Sequence, residues 1–142
     1  ASSGVCVMSR VTIALLVVLA LTSASVQRNR AWHTLLSLWE DCARKSPEKS
    51  RTRNNLGNCN LLLKRYFPAI EEYQKAVQLD PGNLEAQYNL AMTLDTVGLV
   101  SQAMPAYDIF CRYAPDVYAD QRAAACQRLQ ELRAAAGART KP

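Results

Sequence analysis

The chain of 142 residues carries 17 Lys and Arg against 12 Asp and Glu, which gives a net charge of +5, and 49% of its residues are hydrophobic. That apolar share allows a buried core and excludes a fully disordered chain, and the scarcity of glycine favours helix over sheet. The positive charge is spread along the sequence between acidic residues, which is not typical of a nucleic-acid-binding face, so we expect no nucleic-acid partner.

The first predicted element is an apolar segment at residues 11–26, which no charged residue interrupts. As a helix it would cover roughly 24 Å, and an extension back over Arg10 would reach roughly 33 Å, against a hydrocarbon core of about 30 Å. Two interpretations stay open: an uncleaved membrane-spanning helix, which we favour, and a secretory signal with small residues at 23–25 near a cleavage point. A buried core helix is the third alternative. We therefore assign residues 1–27 to a membrane anchor or signal.

Six further helices are predicted from apolar residues that recur at helical spacing. They cover residues 31–45, 51–63, 66–79, 84–97, 100–113 and about 117–136. Pro105 lies inside the fifth of them, so we expect this helix to begin near Gln102 or to be kinked. Gly137 is expected to end the last helix.

Several residue types recur at a fixed interval along these helices. The prolines Pro47, Pro81 and Pro115 stand 34 residues apart, and the aromatic residues Trp39, Tyr73 and Tyr107 and the small or apolar residues Leu35, Ala69 and Ala103 keep the same spacing. A period of about 34 residues with a small residue, an aromatic residue and a closing proline is typical of a helix–turn–helix solenoid.

Residues 50–117 resemble two tandem tetratricopeptide repeats. The first repeat shows the family pattern as Leu56, Gly57, Tyr66, Ala69, Tyr73, Ala76 and Pro81, and the second as Leu90, Ala91, Gly98, Ala103, Tyr107, Phe110 and Pro115. Phe110 stands where alanine is usual. The resemblance implies repeats at 50–83 and 84–117, a partial repeat at 28–49 and a capping helix and tail at 118–142. The expected fold class is an all-α tetratricopeptide-like solenoid preceded by one hydrophobic transmembrane or signal-anchor helix.

The resemblance also implies where a partner would bind, because such arrays hold a peptide or helix on the concave face lined by the first helix of each repeat. The residues at those positions are Arg51, Asn54, Asn58, Leu61, Leu62, Glu85, Tyr88, Asn89, Met92, Asp95 and Thr96. Asparagine amides can donate to and accept from a peptide backbone, and Met92 offers an adaptable apolar contact. Asn58 and Asn89 match two asparagines of the subclass that clamps a C-terminal carboxylate. The basic positions of that subclass are occupied by Asn54, Ala119 and Ala123, so we do not expect a carboxylate clamp.

A second resemblance concerns the junction between the apolar segment and the repeats. Residues 27–32, 38–41 and 45–47 look like the region that follows the last span of polytopic membrane proteins of the glycosyltransferase type, in which extracytoplasmic tetratricopeptide repeats come next. This resemblance implies an extracytoplasmic solenoid, which we expect. The basic residues that follow the apolar segment, Arg28 and Arg30, favour the cytoplasmic side instead.

The cysteines and the single histidine show no spacing typical of a metal site or a redox motif. We expect no cofactor, no metal and no catalytic residues, and we interpret the four cysteines after residue 27 as small packing residues. A disulfide between Cys42 and Cys59 is possible in an oxidising compartment.

The predicted function is therefore a non-catalytic, membrane-anchored scaffold that binds a protein or peptide. Two alternatives remain: a structural subunit of a larger membrane assembly, and an accessory C-terminal domain of a polytopic glycosyltransferase.

Overall fold

The computed structural model describes residues 12–13, 15–23 and 34–139, and it divides the chain into two compact units, Ala1–Leu38 and Trp39–Pro142. Within the described ranges, every regular element is helical. The second unit contains both repeats and all of the predicted binding residues.

The apolar segment of the first unit is described only in part. Residues 12–13 and 15–23 are helical and their side chains are exposed. No helix in the described ranges combines the length and apolarity that crossing a membrane requires, so the predicted transmembrane helix is not supported. The rest of the predicted anchor, residues 1–11, 14 and 24–27, lies outside the described residues.

The remaining helices follow the predicted order closely. Their bounds are α1 Leu35–Lys45, α2 Ser50–Leu62, α3 Tyr66–Leu79, α4 Leu84–Thr96, α5 Val100–Tyr113 and α6 Ala119–Arg139, with a short 3-10 helix at Asp116–Tyr118 before α6. The predicted bounds of α3 and α5 are confirmed, α2 begins and ends one residue earlier than expected, and α4 ends one residue earlier. For α1, the predicted residues 31–33 lie outside the described part of the chain.

Two local expectations were not met. Helix α5 begins at Val100 and not near Gln102, since proline removes one backbone donor without preventing the preceding turn from forming, and the alternative of a kink at Pro105 stays a prediction. Helix α6 continues through Gly137 to Arg139, because glycine permits a helix end but does not impose one.

The turns between the two helices of each repeat have the same backbone conformation. Lys64 and Gly98, one period apart, both adopt a left-handed backbone, with φ of 57° and 80°. In both turns the residue that follows donates its backbone N–H to the carbonyl oxygen five residues earlier, at 2.9 Å, from Arg65 to Asn60 and from Leu99 to Leu94. The chain therefore reverses direction in the same way twice.

The core lies between the paired helices, where α2 packs on α3, α3 on α4, α4 on α5 and α5 on α6. Tyr73, Tyr107 and Phe110 are fully buried there, beside buried alanines that let the helices approach. The closest approach is at Gly57, where an added Cβ would lie 2.5 Å from the ring of Tyr73. Glycine at this position is thus a requirement of the packing.

The cysteines differ from their prediction. Cys111 of α5 and Cys126 of α6 form a disulfide with a Cα–Cα distance of 5.6 Å, so they are a covalent link and not simple packing residues. Cys42 and Cys59 are unpaired thiols, which corrects the suggested bond between them, and Cys59 is buried. Burial raises the pKa of the Cys59 thiol and keeps it protonated.

Candidate functional site

The predicted binding residues occupy one face of α2 and one face of α4. Their spacings along each helix, three or four residues and multiples of a turn, place them on one side of it. Helices α2 and α4 contact one another directly, so the two faces adjoin. We call the surface made by these residues the α2–α4 face.

The members of the α2–α4 face differ strongly in exposure. Asn54 is completely buried, while Met92 keeps 44% of its surface exposed. The exposed members are Arg51, Leu62, Glu85, Met92 and Thr96, and the half-buried members are Asn58, Leu61, Tyr88, Asn89 and Asp95. The exposed and half-buried residues are therefore accessible from solvent, whereas Asn54 is not.

Three asparagines join the two helices at the centre of this face. The amide nitrogen of Asn89 donates to Oδ1 of Asn54 at 3.1 Å and to Oδ1 of Asn58 at 3.0 Å. The amide nitrogen of Asn54 is buried without a hydrogen-bond partner. An unpaired buried donor costs about 1–3 kcal/mol, so the buried amide of Asn54 lowers the stability of the folded chain. The network fixes the side chains of Asn58 and Asn89 in place before any ligand arrives.

Tyr73 supports this network from the core. Its hydroxyl donates to Oδ1 of Asn58 at 2.7 Å. Burial raises the pKa of Tyr73, and the negative charge of Glu85 adds to the effect, so the hydroxyl keeps its proton and remains a donor. The buried aromatic residue of the first repeat thus also orients a residue of the candidate site.

The apolar part of the face lies on α4. The ring of Tyr88 packs on the ring of Phe110, with centroids 4.8 Å apart and an interplanar angle of 37°. Phe110 also contacts the ring of Tyr118 edge-on, with centroids 6.0 Å apart. Phe110, the residue that departs from the usual alanine, therefore supports Tyr88 from beneath. One turn further on, Met92 offers a flexible apolar side chain to solvent.

The far end of the face is closed by an ion pair with the last helix. Arg128 of α6 donates to Asp95 through Nε at 2.7 Å and through Nη2 at 3.0 Å. The hydrogen bond from Arg128 is the main reason that the pKa of Asp95 is lowered, and its positive charge adds to the effect. Tyr107 donates to the same carboxylate at 3.3 Å. Asp95 is thus an anchored carboxylate and not a free charge.

Sequence reasoning missed Arg128 altogether. Arg128 lies 33 residues after Asp95, one short of the repeat period, so the register provides no signal for the contact. A forked contact between these two side chains depends on how α6 packs against the second repeat, and only the three-dimensional structure shows it.

Two kinds of site were not expected in this region, a carboxylate clamp and a metal site. Two positions of a carboxylate clamp are Ala119 and Ala123, which carry no charge, and the third, Asn54, is buried. Within residues 12–13, 15–23 and 34–139, no group of three or more His, Cys, Asp or Glu side chains is arranged to hold a metal ion.

Residues 50–83 match the model of the tetratricopeptide repeat family. Among solved structures, the chain is similar to the one titled "TPR2B-domain:pHsp70-complex of yeast Sti1", with 17% sequence identity and a TM-score of 0.56 over 80% of this chain and 88% of that one. At that identity the likeness concerns the fold, an all-helical tetratricopeptide-like solenoid. A comparison with curated proteins found no match.

Proposed function

We propose that this protein is a non-catalytic scaffold whose α2–α4 face binds an extended peptide segment of a partner protein. The observation that carries the proposal is the asparagine network at the centre of the face, next to an exposed apolar residue. Hydrogen bonds within the described residues occupy Asn58 Oδ1 and both protons of the Asn89 amide, so Asn58 Nδ2 and Asn89 Oδ1 remain available. A donor and an acceptor side by side match the carbonyl oxygen and the N–H of a peptide bond.

Specificity would come from the side chains around this pair. Tyr88 and Met92 would accept an apolar residue of the peptide, since an aromatic surface next to a flexible thioether adapts to different shapes. Arg51 and Glu85 are exposed and carry opposite charges, so the face does not select for a strongly acidic or strongly basic segment. The yeast domain of similar fold was solved in a complex with pHsp70, which supports a peptide as the class of ligand.

The location of the protein is also a proposal. We infer that the repeats lie outside the cytoplasm and that residues 11–26 attach them to a membrane. The disulfide between Cys111 and Cys126 supports this side, because disulfides persist in oxidising compartments. The resemblance to glycosyltransferase-type membrane proteins agrees with it, and so does an apolar run that no charge interrupts.

A peptide library displayed on phage, selected on the immobilised full chain, tests the binding function. A selected peptide is then titrated against a variant with two substitutions at exposed positions of the face. Glu85→Lys reverses a charge, and Met92→Asp replaces an apolar side chain by a charged one. We expect its affinity to fall at least about tenfold, because a central apolar contact and a charge are both lost.

The matched control changes two exposed residues on the second helix of each repeat, Gln74→Lys with Gln102→Asp. This control carries the same kinds of charge and should bind the peptide as the original chain does. Equal loss in both variants, or no loss in either, would show that the α2–α4 face is not the binding surface.

A further inference from the structure

The turn between α2 and α3 exposes an unusual amount of apolar surface. We call residues 62–67 the first-repeat tip. Within it, Leu62, Leu63 and Phe67 are 75%, 54% and 69% exposed. Scattered apolar side chains on a surface are ordinary, but three within six residues at the end of a helix pair form a projecting patch.

The second repeat shows that the fold does not require this patch. One period later the three apolar residues are replaced by Thr96, Val97 and Ser101. Val97 is packed against the core there, as is Leu99, which occupies the position of Arg65. The backbone is the same in both turns, so the apolar residues of the first-repeat tip serve something other than the turn itself.

The same tip carries two basic residues. Lys64 and Arg65 are exposed, residues 62–67 contain no acid, and neither basic side chain forms an ion pair within the described part of the chain. The acidic residues that follow are neutralised, because Lys75 pairs with both Glu71 and Glu72 and Arg53 also pairs with Glu72. Lys64 also occupies the left-handed position that Gly98 occupies in the second repeat, where glycine would be less strained.

We propose that the first-repeat tip docks on an anionic lipid bilayer, with Leu62, Leu63 and Phe67 in the interfacial region and Lys64 and Arg65 against the headgroups. Apolar side chains flanked by unpaired cations are the combination that binds such a surface, since burial and electrostatic attraction add. Leu62 also belongs to the α2–α4 face, whereas the other four residues lie outside it. The contact requires only an anionic leaflet on the side where the repeats lie, and it does not depend on whether residues 11–26 cross a membrane.

The size of the patch argues for a bilayer over a second copy of the chain. Three side chains expose an area on the order of a few hundred Å² at most, whereas a stable protein interface buries about 800 Å² on each partner. Two copies meeting through this tip would also bring the basic pairs of Lys64 and Arg65 together. A lipid surface has neither restriction, because it needs only shallow insertion and supplies the negative charge.

A fluorescent label that reports on polarity tests the proposal in the full chain. Nitrobenzoxadiazole is attached at Phe67→Cys and, as the matched control, at Ser101→Cys, which is exposed and occupies the same position of the second repeat. The background carries Cys6→Ser, Cys42→Ser and Cys59→Ala, so the disulfide between Cys111 and Cys126 is kept. Each labelled chain is mixed with phosphatidylcholine vesicles, with and without phosphatidylserine.

We expect the emission at position 67 to shift to the blue and to rise severalfold with phosphatidylserine vesicles, and to be quenched by spin-labelled lipid. Position 101 should respond little. Lys64→Gly with Arg65→Ala should lower the affinity for anionic vesicles about thirtyfold, because each lost cation weakens the attraction about fivefold. Leu62→Thr with Leu63→Val, the residues of the second repeat, should reduce the response without removing its dependence on charge.

Equal responses at positions 67 and 101, or no response at 67 on any vesicle, would overturn the proposal, and the latter result would point to a protein partner for the tip. Flotation of the whole chain with vesicles is measured in parallel and reports on anchoring by residues 11–26. A chain that floats while position 67 stays silent therefore disproves the tip contact alone, and peptide binding at the α2–α4 face is unaffected by either result.

Discussion

The two repeats have the same backbone conformation in their helices and turns, but they differ in the side-chain contacts that stabilise them. In the first repeat, the hydroxyl of Tyr73 bonds to an amide, Asn58, and the ring packs against Gly57. In the second, the hydroxyl of Tyr107 bonds to a carboxylate, Asp95, and the position of the glycine is taken by Ala91. The second repeat is also tied to α6 by an ion pair and a disulfide. The periodic pattern thus specifies the helices. The ion pair between Arg53 and Glu72 lies within the first repeat, whereas the second repeat is joined to the following helix by an ion pair and a disulfide.

The largest expected effect comes from removing the buried ring of the first repeat. Tyr73→Ala should lower the free energy of unfolding by about 3–5 kcal/mol, because it leaves a cavity in the core and removes one of the two hydrogen bonds that Oδ1 of Asn58 accepts. Urea unfolding followed by circular dichroism measures the loss. Tyr113→Ala, a change of the same kind at an exposed ring, is the control and should cost far less. Equal losses at the two positions would contradict the assigned core.

Loss of the disulfide should weaken the second repeat and leave the first intact. Cys111→Ser with Cys126→Ser should cost about 3 kcal/mol, because the bond closes a loop of about 15 residues that the unfolded chain would otherwise leave open. Hydrogen exchange measured along the chain should show faster exchange in α5 and α6 and little change in α2 and α3. Replacement of the unpaired Cys42 by Ser is the control. Uniform loss of protection in both repeats would contradict the comparison.

The sign of a glycine substitution distinguishes the first repeat from the last helix. Gly57→Ala should destabilise the chain by about 1–3 kcal/mol, because the new Cβ would meet the ring of Tyr73, although alanine is normally the better helix former. Gly137→Ala, in α6, has open space around the new Cβ and should stabilise by up to about 1 kcal/mol. Thermal unfolding of the two variants measures both signs, and a stabilising Gly57→Ala would disprove the close contact.

The smallest expected effect is a difference in pH dependence. The pKa of Asp95 is lowered in the folded chain by Arg128, so the pair stabilises the protein above the ordinary carboxyl pKa of about 3.9 and loses this contribution as the pH falls through the lowered value. Arg128→Gln should therefore make the free energy of unfolding depend less on pH in the acidic range. Unfolding in urea between neutral and acidic pH measures it, and Gln127→Ala, at a neighbouring exposed position, should leave the profile unchanged.

The contents of the candidate site were only partly predictable. The spacing along α2 and α4 identified which residues share a face, because helical periodicity is a local property. It did not reveal that Asn54 is buried or that Asn89 bridges two helices, since those facts depend on how closely α2 approaches α4. Whether these residues bind a partner remains a prediction.

By itself the sequence determined the helices, the turns and the period, because proline spacing, small residues and left-handed turn positions act within a few residues of one another. The tertiary structure decided what joins the second repeat to α6. Cys111 and Cys126, like Asp95 and Arg128, follow no register, and each pair meets only because α6 packs against the helices of the second repeat, α5 in the first case and α4 in the second. Contacts of that kind depend on the relative placement of whole helices, which no local pattern records.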